Sequence, residues 1–235
     1  MSPMERSLCN VFACLVILCP TMSDCAPSYS AKSITARVVD ADTKKPIEGV
    51  IVLADWRLHG LGPEGGSPGL LMRLEAMTDR SGSFHVPAWG PKELVQSEWL
   101  EGTDPDILLF KDGYGFQPLR EWFRPSGRLP RPPKILASSY DGNIVEMRKF
   151  DGDLHAWARH LSDWSTRLFG TAIDRCGWQD MPRTIQAQKQ QSEAFQQAGI
   201  QSRTLYDDLL AFDPIMSKMG CPPLTEFMRS REHAQ

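Results

Sequence analysis

Residue types that could carry catalysis or bind a metal are few in this chain of 235 residues. Two of its five histidines, His155 and His160, lie five residues apart on a predicted helix. Five residues turn a helix by roughly 140°, too far for both imidazoles to bind one metal ion. His85 alternates with Phe84 and Val86 in a predicted strand, which places it on the polar face. We therefore predict no metal site, no cofactor and no catalytic residue.

Two glycine-rich patterns overlap between residues 60 and 69. Gly60 to Gly65 has the spacing of a dinucleotide-binding turn, and Gly65 to Gly69 has the spacing of a nucleophile elbow around Ser67. Both motifs need a helix directly after the turn, because helix-start amides bind the pyrophosphate or form the oxyanion hole. Pro63 and Pro68 leave no such helix here. We interpret the segment as a loop insert.

Aromatic and basic residues suggest binding instead of catalysis. Four tryptophans lie in or near two predicted inserts and in the segment that follows: Trp56, Trp89, Trp99 and Trp122. Such rings could form a platform for a glycan or a peptide, but we favour packing in the core as their interpretation. Residues 124–134 alternate basic side chains with prolines, which is typical of a solvated rigid connector. A contact with anionic envelope polymers is the alternative for that segment.

The N-terminus indicates export. Arg6 precedes an apolar run from Leu8 to Cys19, and small polar residues follow, which is the layout of a secretory signal over residues 1–25. The run is shorter than the roughly 20 apolar residues of a membrane-spanning helix. Cys25 stands where a lipoprotein signal places its acylated cysteine, but Asp24 fits that signal poorly. Both lipidation of Cys25 and cleavage just beyond it stay open. We predict a periplasmic or outer-membrane protein that contacts the membrane only through such an anchor.

Beyond Cys25 the chain has two cysteines, Cys176 and Cys221. In an oxidising compartment we expect them to form a disulfide that closes the C-terminal part of the chain. The alternative is two separately buried thiols.

The spacing of apolar residues, which indicates the elements that position the side chains discussed above, changes at Phe150. Before it, short segments alternate apolar and polar residues between Gly and Pro turns, which is typical of strands in a sandwich or barrel. These predicted strands cover residues 34–38, 50–54, 72–78, 84–88, 107–111 and 144–149.

After Phe150 the apolar spacing becomes helical. An apolar stripe predicts a first helix capped by Asp153 and ended by Gly170. Further helices are predicted over 184–198 and 205–219, the last bent or restarted at Pro214. Their apolar faces are narrow, so we expect them to pack on each other or on the sandwich.

Three stretches carry a resemblance to a known family, namely residues 38–50, 78–84 and 109–114. They include Pro46-Ile47-Glu48-Gly49-Val50 and Thr78-Asp79-Arg80-Ser81-Gly82. The chain resembles the carboxypeptidase regulatory-like domain over residues 33–115, extending to 149. The resemblance implies a seven-stranded Greek-key, transthyretin-like sandwich, usually an accessory module of exported bacterial proteins, such as small proteobacterial lipoproteins. It implies no activity.

Together these features predict a mainly β chain with a helical C-terminal extension: a signal (1–25), a sandwich (33–150) and a helical region (151–235). The net charge is −3 and the basic residues are scattered, which excludes nucleic-acid binding. We expect a non-catalytic exported protein of the cell envelope that binds a partner protein or wall polymer through inserts at 56–70 and 89–105. The alternative hypothesis is a hydrolase or metalloenzyme that uses His85, His155 or His160 with an aspartate at the junction of sandwich and helices.

Overall fold

The computed structural model describes residues 28–60, 69–94, 98–100, 105–119 and 134–232. The predicted signal with Cys25, the basic segment before Lys134, and Trp122 lie outside these ranges. The described residues form eleven strands in three sheets followed by four α-helices, which confirms the mainly β fold with C-terminal helices. The strands are β1 (Ser28–Ala31), β2 (Ile34–Asp40), β3 (Ile51–Gly60), β4 (Leu70–Met77), β5 (Ser83–Val86), β6 (Trp89–Glu93), β7 (Glu98–Leu100), β8 (Asp106–Phe110), β9 (Gln117–Leu119), β10 (Ile135–Leu136) and β11 (Ile144–Met147).

Two short sheets make up the first layer. Their strand orders are β10-β1-β6 and β11-β2-β5, with β11 parallel to β2 and β5 antiparallel to it. Only two residues separate β1 from β2, and β5 from β6, so the two sheets form one interrupted three-stranded layer. Along β2 the side chains of Ile34, Ala36 and Val38 are buried and those between them are exposed, as the alternation predicts.

The second layer is the sheet β4-β3-β8-β9, with β7 paired to the far end of β3. Val52, Ala54 and Trp56 of β3 face the first layer and share its core. Leu53, between them, belongs to a second core under the helices, so both faces of this sheet are buried. A β-sandwich with helices on one outer face accounts for this burial.

The helices are α1 (Leu154–Ile173), α2 (Pro182–Gln197), α3 (Leu205–Lys218) and α4 (Leu224–Glu232), with a 3-10 segment at Asp174–Asp180. They pack on each other and on the second sheet, as expected. Phe110 of β8 stacks on Trp164 of α1, with ring centroids 4.7 Å apart. No helix in the described part of the chain has the length and apolar character required to cross a membrane.

The helix ends differ in part from the sequence prediction. Asp153 caps α1 as predicted, since its carboxylate accepts from the Ala156 amide at 2.7 Å. The helix does not end at Gly170, because Thr171 and Ala172 are buried against the sheet and extend it to Ile173. Likewise α3 continues through Pro214 as one element instead of restarting there.

The predicted disulfide between Cys176 and Cys221 is formed, with the two Cα atoms 5.6 Å apart. It ties the 3-10 segment after α1 to the connection between α3 and α4.

Candidate functional site

The second predicted insert, 89–105, is not one long loop, because it contains the strands β6 and β7 of the sandwich. Backbone pairing joins the base of the first insert to β7, within the second, at one end of the sandwich. β3 extends to Gly60, and its last residues pair with β7, Leu58 opposite Leu100. Both leucines are buried in the sandwich core, at 2% and 3% exposure. The amide of Leu58 also donates to the Gly69 carbonyl at 2.9 Å, which closes the base of the first insert. We call the end of the sandwich at which β3 and β7 pair the insert-bearing end.

The first described strand starts at the same end. Ser28 of β1 lies opposite Glu93, the exposed last residue of β6. The neighbouring Lys92 donates from Nζ to the Leu71 carbonyl at 3.3 Å, next to the base of the first insert. The opposite end of the sandwich carries the turn with Arg80, whose side chain is 94% exposed.

Two of the four tryptophans considered for a ligand platform lie in the core. Trp56 is 1% exposed and Trp89 is 9% exposed. Their rings meet edge to face with centroids 5.1 Å apart, which is a favourable arrangement for packing. A platform needs ring faces on the surface, so these two residues stabilise the sandwich and offer no ligand surface. The Trp99 side chain and all of Trp122 lie outside the described residues.

The three histidines of the alternative hypothesis lie apart. His155 is exposed at the start of α1. His85 lies on the exposed face of β5, with Nδ1 3.0 Å from the Thr35 hydroxyl. In the described ranges no three residues of His, Cys, Asp or Glu come together in a way that could hold a metal ion.

His160 joins α1 to the segment before β9. Its Nε2 accepts from the Phe116 amide at 2.7 Å, so the neutral imidazole carries its proton on Nδ1. The ring packs beside Phe150 and Trp157, with centroids 5.2 Å and 5.6 Å away. Burial lowers the pKa of His160 below its usual 6.5, and the nearby Asp163 carboxylate opposes that shift. This histidine therefore serves as a neutral structural acceptor.

An open groove of about 360 Å³ lies beside this contact, between β11 and the segment before β9. Phe116 and Phe150 supply its apolar part, and its charged residues are of both signs. Close by, Asp40 accepts from the Thr43 amide and hydroxyl and from the Tyr114 hydroxyl, which hold the pKa of Asp40 at about 2. The groove shows no nucleophile paired with a base.

A buried ion pair links the second sheet to the helices. Arg73 of β4 lies opposite Asp55 of β3, and its Nε and Nη2 donate to the two carboxylate oxygens at 2.7 Å and 2.6 Å. The side chains are 1% and 0% exposed. Arg73 also donates to the Thr171 hydroxyl at 2.8 Å and to the Gly177 carbonyl at 3.3 Å. One guanidinium therefore fixes the end of α1 and the 3-10 segment on the sheet.

Glu75, two residues further along β4, caps α2 from the sheet. Its oxygens accept from the amides of Arg183 and Thr184 at 2.9 Å and 2.7 Å. Burial raises the pKa of Glu75, while these amide bonds act in the opposite direction. Neither Glu75 nor the Asp55–Arg73 pair was among the residues predicted from the sequence. The signal that could have found them is a charged residue inside an otherwise apolar strand.

Comparison with known proteins does not assign this chain to a family. No protein-family model matches the chain, and no curated protein matches it in sequence. A solved structure of a 9R-lipoxygenase from Cyanothece PCC8801 is similar over 69% of this chain and 25% of the lipoxygenase chain. The sequence identity is 15% and the TM-score 0.24, a likeness too small to carry an argument about fold or activity. The chain thus spans about a quarter of the length of that protein.

Proposed function

We propose that this protein is a non-catalytic, exported binding module that presents its two inserts to a partner protein or wall polymer of the cell envelope. The observation that carries the proposal is the pairing of β3 with β7, which joins the base of the first insert to a strand within the second. Long loops on a rigid scaffold are a common location for binding sites. Leu58 and Leu100 are buried in the sandwich core, so the described strands next to the loops are part of the scaffold.

The same proposal assigns the sandwich to the transthyretin-like, seven-stranded Greek-key class implied by the resemblance to the carboxypeptidase regulatory-like domain. The two-layer core supports this assignment. The helical tail extends the module, because the Arg73 and Glu75 contacts and the disulfide attach it firmly to the second sheet. The described polar clusters stabilise the fold, and this supports an accessory, non-catalytic role for the module.

Export is part of the proposal as well. The Cys176–Cys221 disulfide is compatible with an oxidising compartment. Cys25 lies three residues before Ser28, and three residues span at most about 11 Å. If Cys25 is acylated, the insert-bearing end therefore faces the membrane, and the partner lies near the membrane surface. Mass spectrometry of the mature N-terminus separates an acylated Cys25 from an unmodified start beyond it.

A capture experiment tests the binding role. In the insert variant, Asn-Gly replaces residues 61–68 and Gly-Ser replaces residues 101–104, since Asn-Gly favours a tight hairpin. The control variant changes the opposite end of the sandwich, as E48A/R80A, where both side chains are largely exposed. Circular dichroism and thiol labelling verify that each variant is folded with its disulfide formed.

Each purified protein is then cross-linked in an envelope extract of its own cells, and the captured partners are compared. We expect the wild type and E48A/R80A to capture the same partner, and the folded insert variant to lose it. Capture by the insert variant at the wild-type level would contradict the proposal. Failure of all three proteins to capture any envelope component would contradict it too.

A further inference from the structure

Helix α3 carries an apolar stripe that the rest of the described chain leaves exposed. One face of the helix is buried through Leu209 and Met216, at 0% and 1% exposure. Beside it Phe212, Ile215 and Met219 are 37%, 51% and 63% exposed. These three follow one another at spacings of three and four residues, so they lie on one face of the helix.

The stripe continues onto a second helix. Phe169 of α1 meets Phe212 edge to face, with ring centroids 4.9 Å apart. Single exposed apolar residues are normal on protein surfaces and need no explanation. A contiguous group drawn from two packed helices is typical of a contact surface.

Charged residues along α3 have a self-complementary order. Asp207 and Asp208 lie in its first turn, where Asp208 pairs with Arg203 at 2.8 Å, and Lys218 lies in its last turn. The first turn together with Arg203 therefore keeps a net negative charge, and the last turn is positive. Asp207 and Lys218 are eleven residues apart, which places them within about 20° around the helix and about 16 Å apart along it. They therefore lie on the same flank of the stripe, acidic at one end and basic at the other.

We infer that this stripe binds a second copy of the chain, with the two α3 helices antiparallel about a two-fold axis. Pairing about the middle of the stripe puts Phe212 opposite Ile215 of the second copy. It also puts Lys218 within one turn of the second copy's Asp207 and Asp208. Parallel pairing would bring like charges together, and the two aspartates oppose docking on anionic lipid.

The contact that α3 can make is small. A helix of 14 residues is about 21 Å long, so the interface falls at the small end for protein complexes. We therefore expect a weak, reversible dimer with a dissociation constant on the order of micromolar to tens of micromolar.

Sedimentation equilibrium of the full mature protein, disulfide formed, tests the inference over a range of concentrations. I215E should weaken dimerisation at least about tenfold, because it places like charges next to each other at the centre of the contact. L210E is the matched control. Leu210 is 42% exposed but lies about 140° around the helix from Ile215, so its replacement should leave the dissociation constant unchanged.

Disulfide trapping gives an independent measurement. Under mild oxidation I215C should form a covalent dimer, and L210C should not, since only position 215 approaches its copy across the two-fold axis. A wild-type protein that stays monomeric at several hundred micromolar would overturn the inference. So would a dimer that persists in I215E and is trapped equally by L210C, because another surface would then hold it together.

Discussion

Replacing Arg73 by methionine should destabilise the protein strongly, because Arg73 is half of a buried ion pair. Methionine keeps the length of the side chain but removes its charge and donors. The Asp55 carboxylate, which is 0% exposed, would then have lost its ion-pair partner. Breaking a buried ion pair by removing one member typically costs 3–5 kcal/mol, because it leaves an uncompensated buried charge. The loss is large beside the roughly 5–15 kcal/mol that hold an average domain folded.

Removing both charges should restore most of that loss. In D55L/R73M no charge remains at the site, and apolar replacements of buried ion pairs are often neutral or stabilising. The contact from Arg73 to Thr171 is lost in both variants, but the Thr171 hydroxyl still bonds the Leu168 carbonyl at 3.0 Å. We therefore expect the double variant to lie within about 1–2 kcal/mol of the wild type.

Urea denaturation followed by tryptophan fluorescence and far-ultraviolet circular dichroism measures these free energies of unfolding. R80M is the matched control, since Arg80 forms an ion pair with Glu48 at 3.8 Å that is largely exposed. That change should cost less than about 0.5 kcal/mol. If R73M costs no more than R80M, or D55L/R73M is no more stable than R73M, the assigned role of the pair is wrong. A single variant that fails to fold beside a double variant that folds would still agree with it.

Two further predictions concern the tail. Reducing the Cys176–Cys221 disulfide releases a loop with a sequence separation of 45 and should cost about 4 kcal/mol, seen as a lower urea midpoint under reducing conditions. In the native protein, neither Cys176 nor Cys221 should react with a thiol-labelling reagent before reduction. Labelling of both cysteines would contradict the disulfide. Because the pKa of His160 is lowered in the folded protein, the stability that its neutral form contributes is fully present above pH 6.5. That stability is lost as the pH falls through the folded-state pKa of His160. In H160F, which keeps the ring packing but loses the acceptor for the Phe116 amide, stability should depend less on pH across that window, and an unchanged dependence would exclude His160 as its source.

Local patterns in the sequence predicted those elements that are defined by a regular spacing of apolar residues or by a capping residue. The alternation from Ile34 to Val38 placed one face of β2 in the core, and Asp153 marked the start of α1. The Cys176–Cys221 pairing followed because these are the two cysteines beyond Cys25.

Features that depend on distant parts of the chain were not predictable in this way. Asp55 interrupts the apolar run of β3, and the sequence alone does not show which charge would pair with it. It is buried because the tail covers that face of the sheet, and its pairing with Arg73 follows from the strand register. Packing of the helical tail on this sheet also extends α1 beyond Gly170 to Ile173. The extension of β3 to Gly60 depends on β7, some forty residues later in the chain.

The Trp56 and Trp89 pair illustrates a second limit. Tryptophan beside a loop is compatible with both a ligand platform and a core, and the sequence does not say which face of the strand is covered. In the structure the rings pack against each other between the layers.

Site-specific photo-cross-linking in living cells tests the binding role of the insert-bearing end most directly. A photoreactive amino acid replaces either Glu93, which is exposed within the second insert, or Arg80, which is exposed at the opposite end. We expect a specific cross-linked partner from position 93 and none from position 80, at equal levels of folded protein. A partner cross-linked from position 80 and not from position 93 would contradict the account, because binding would then occur away from the inserts.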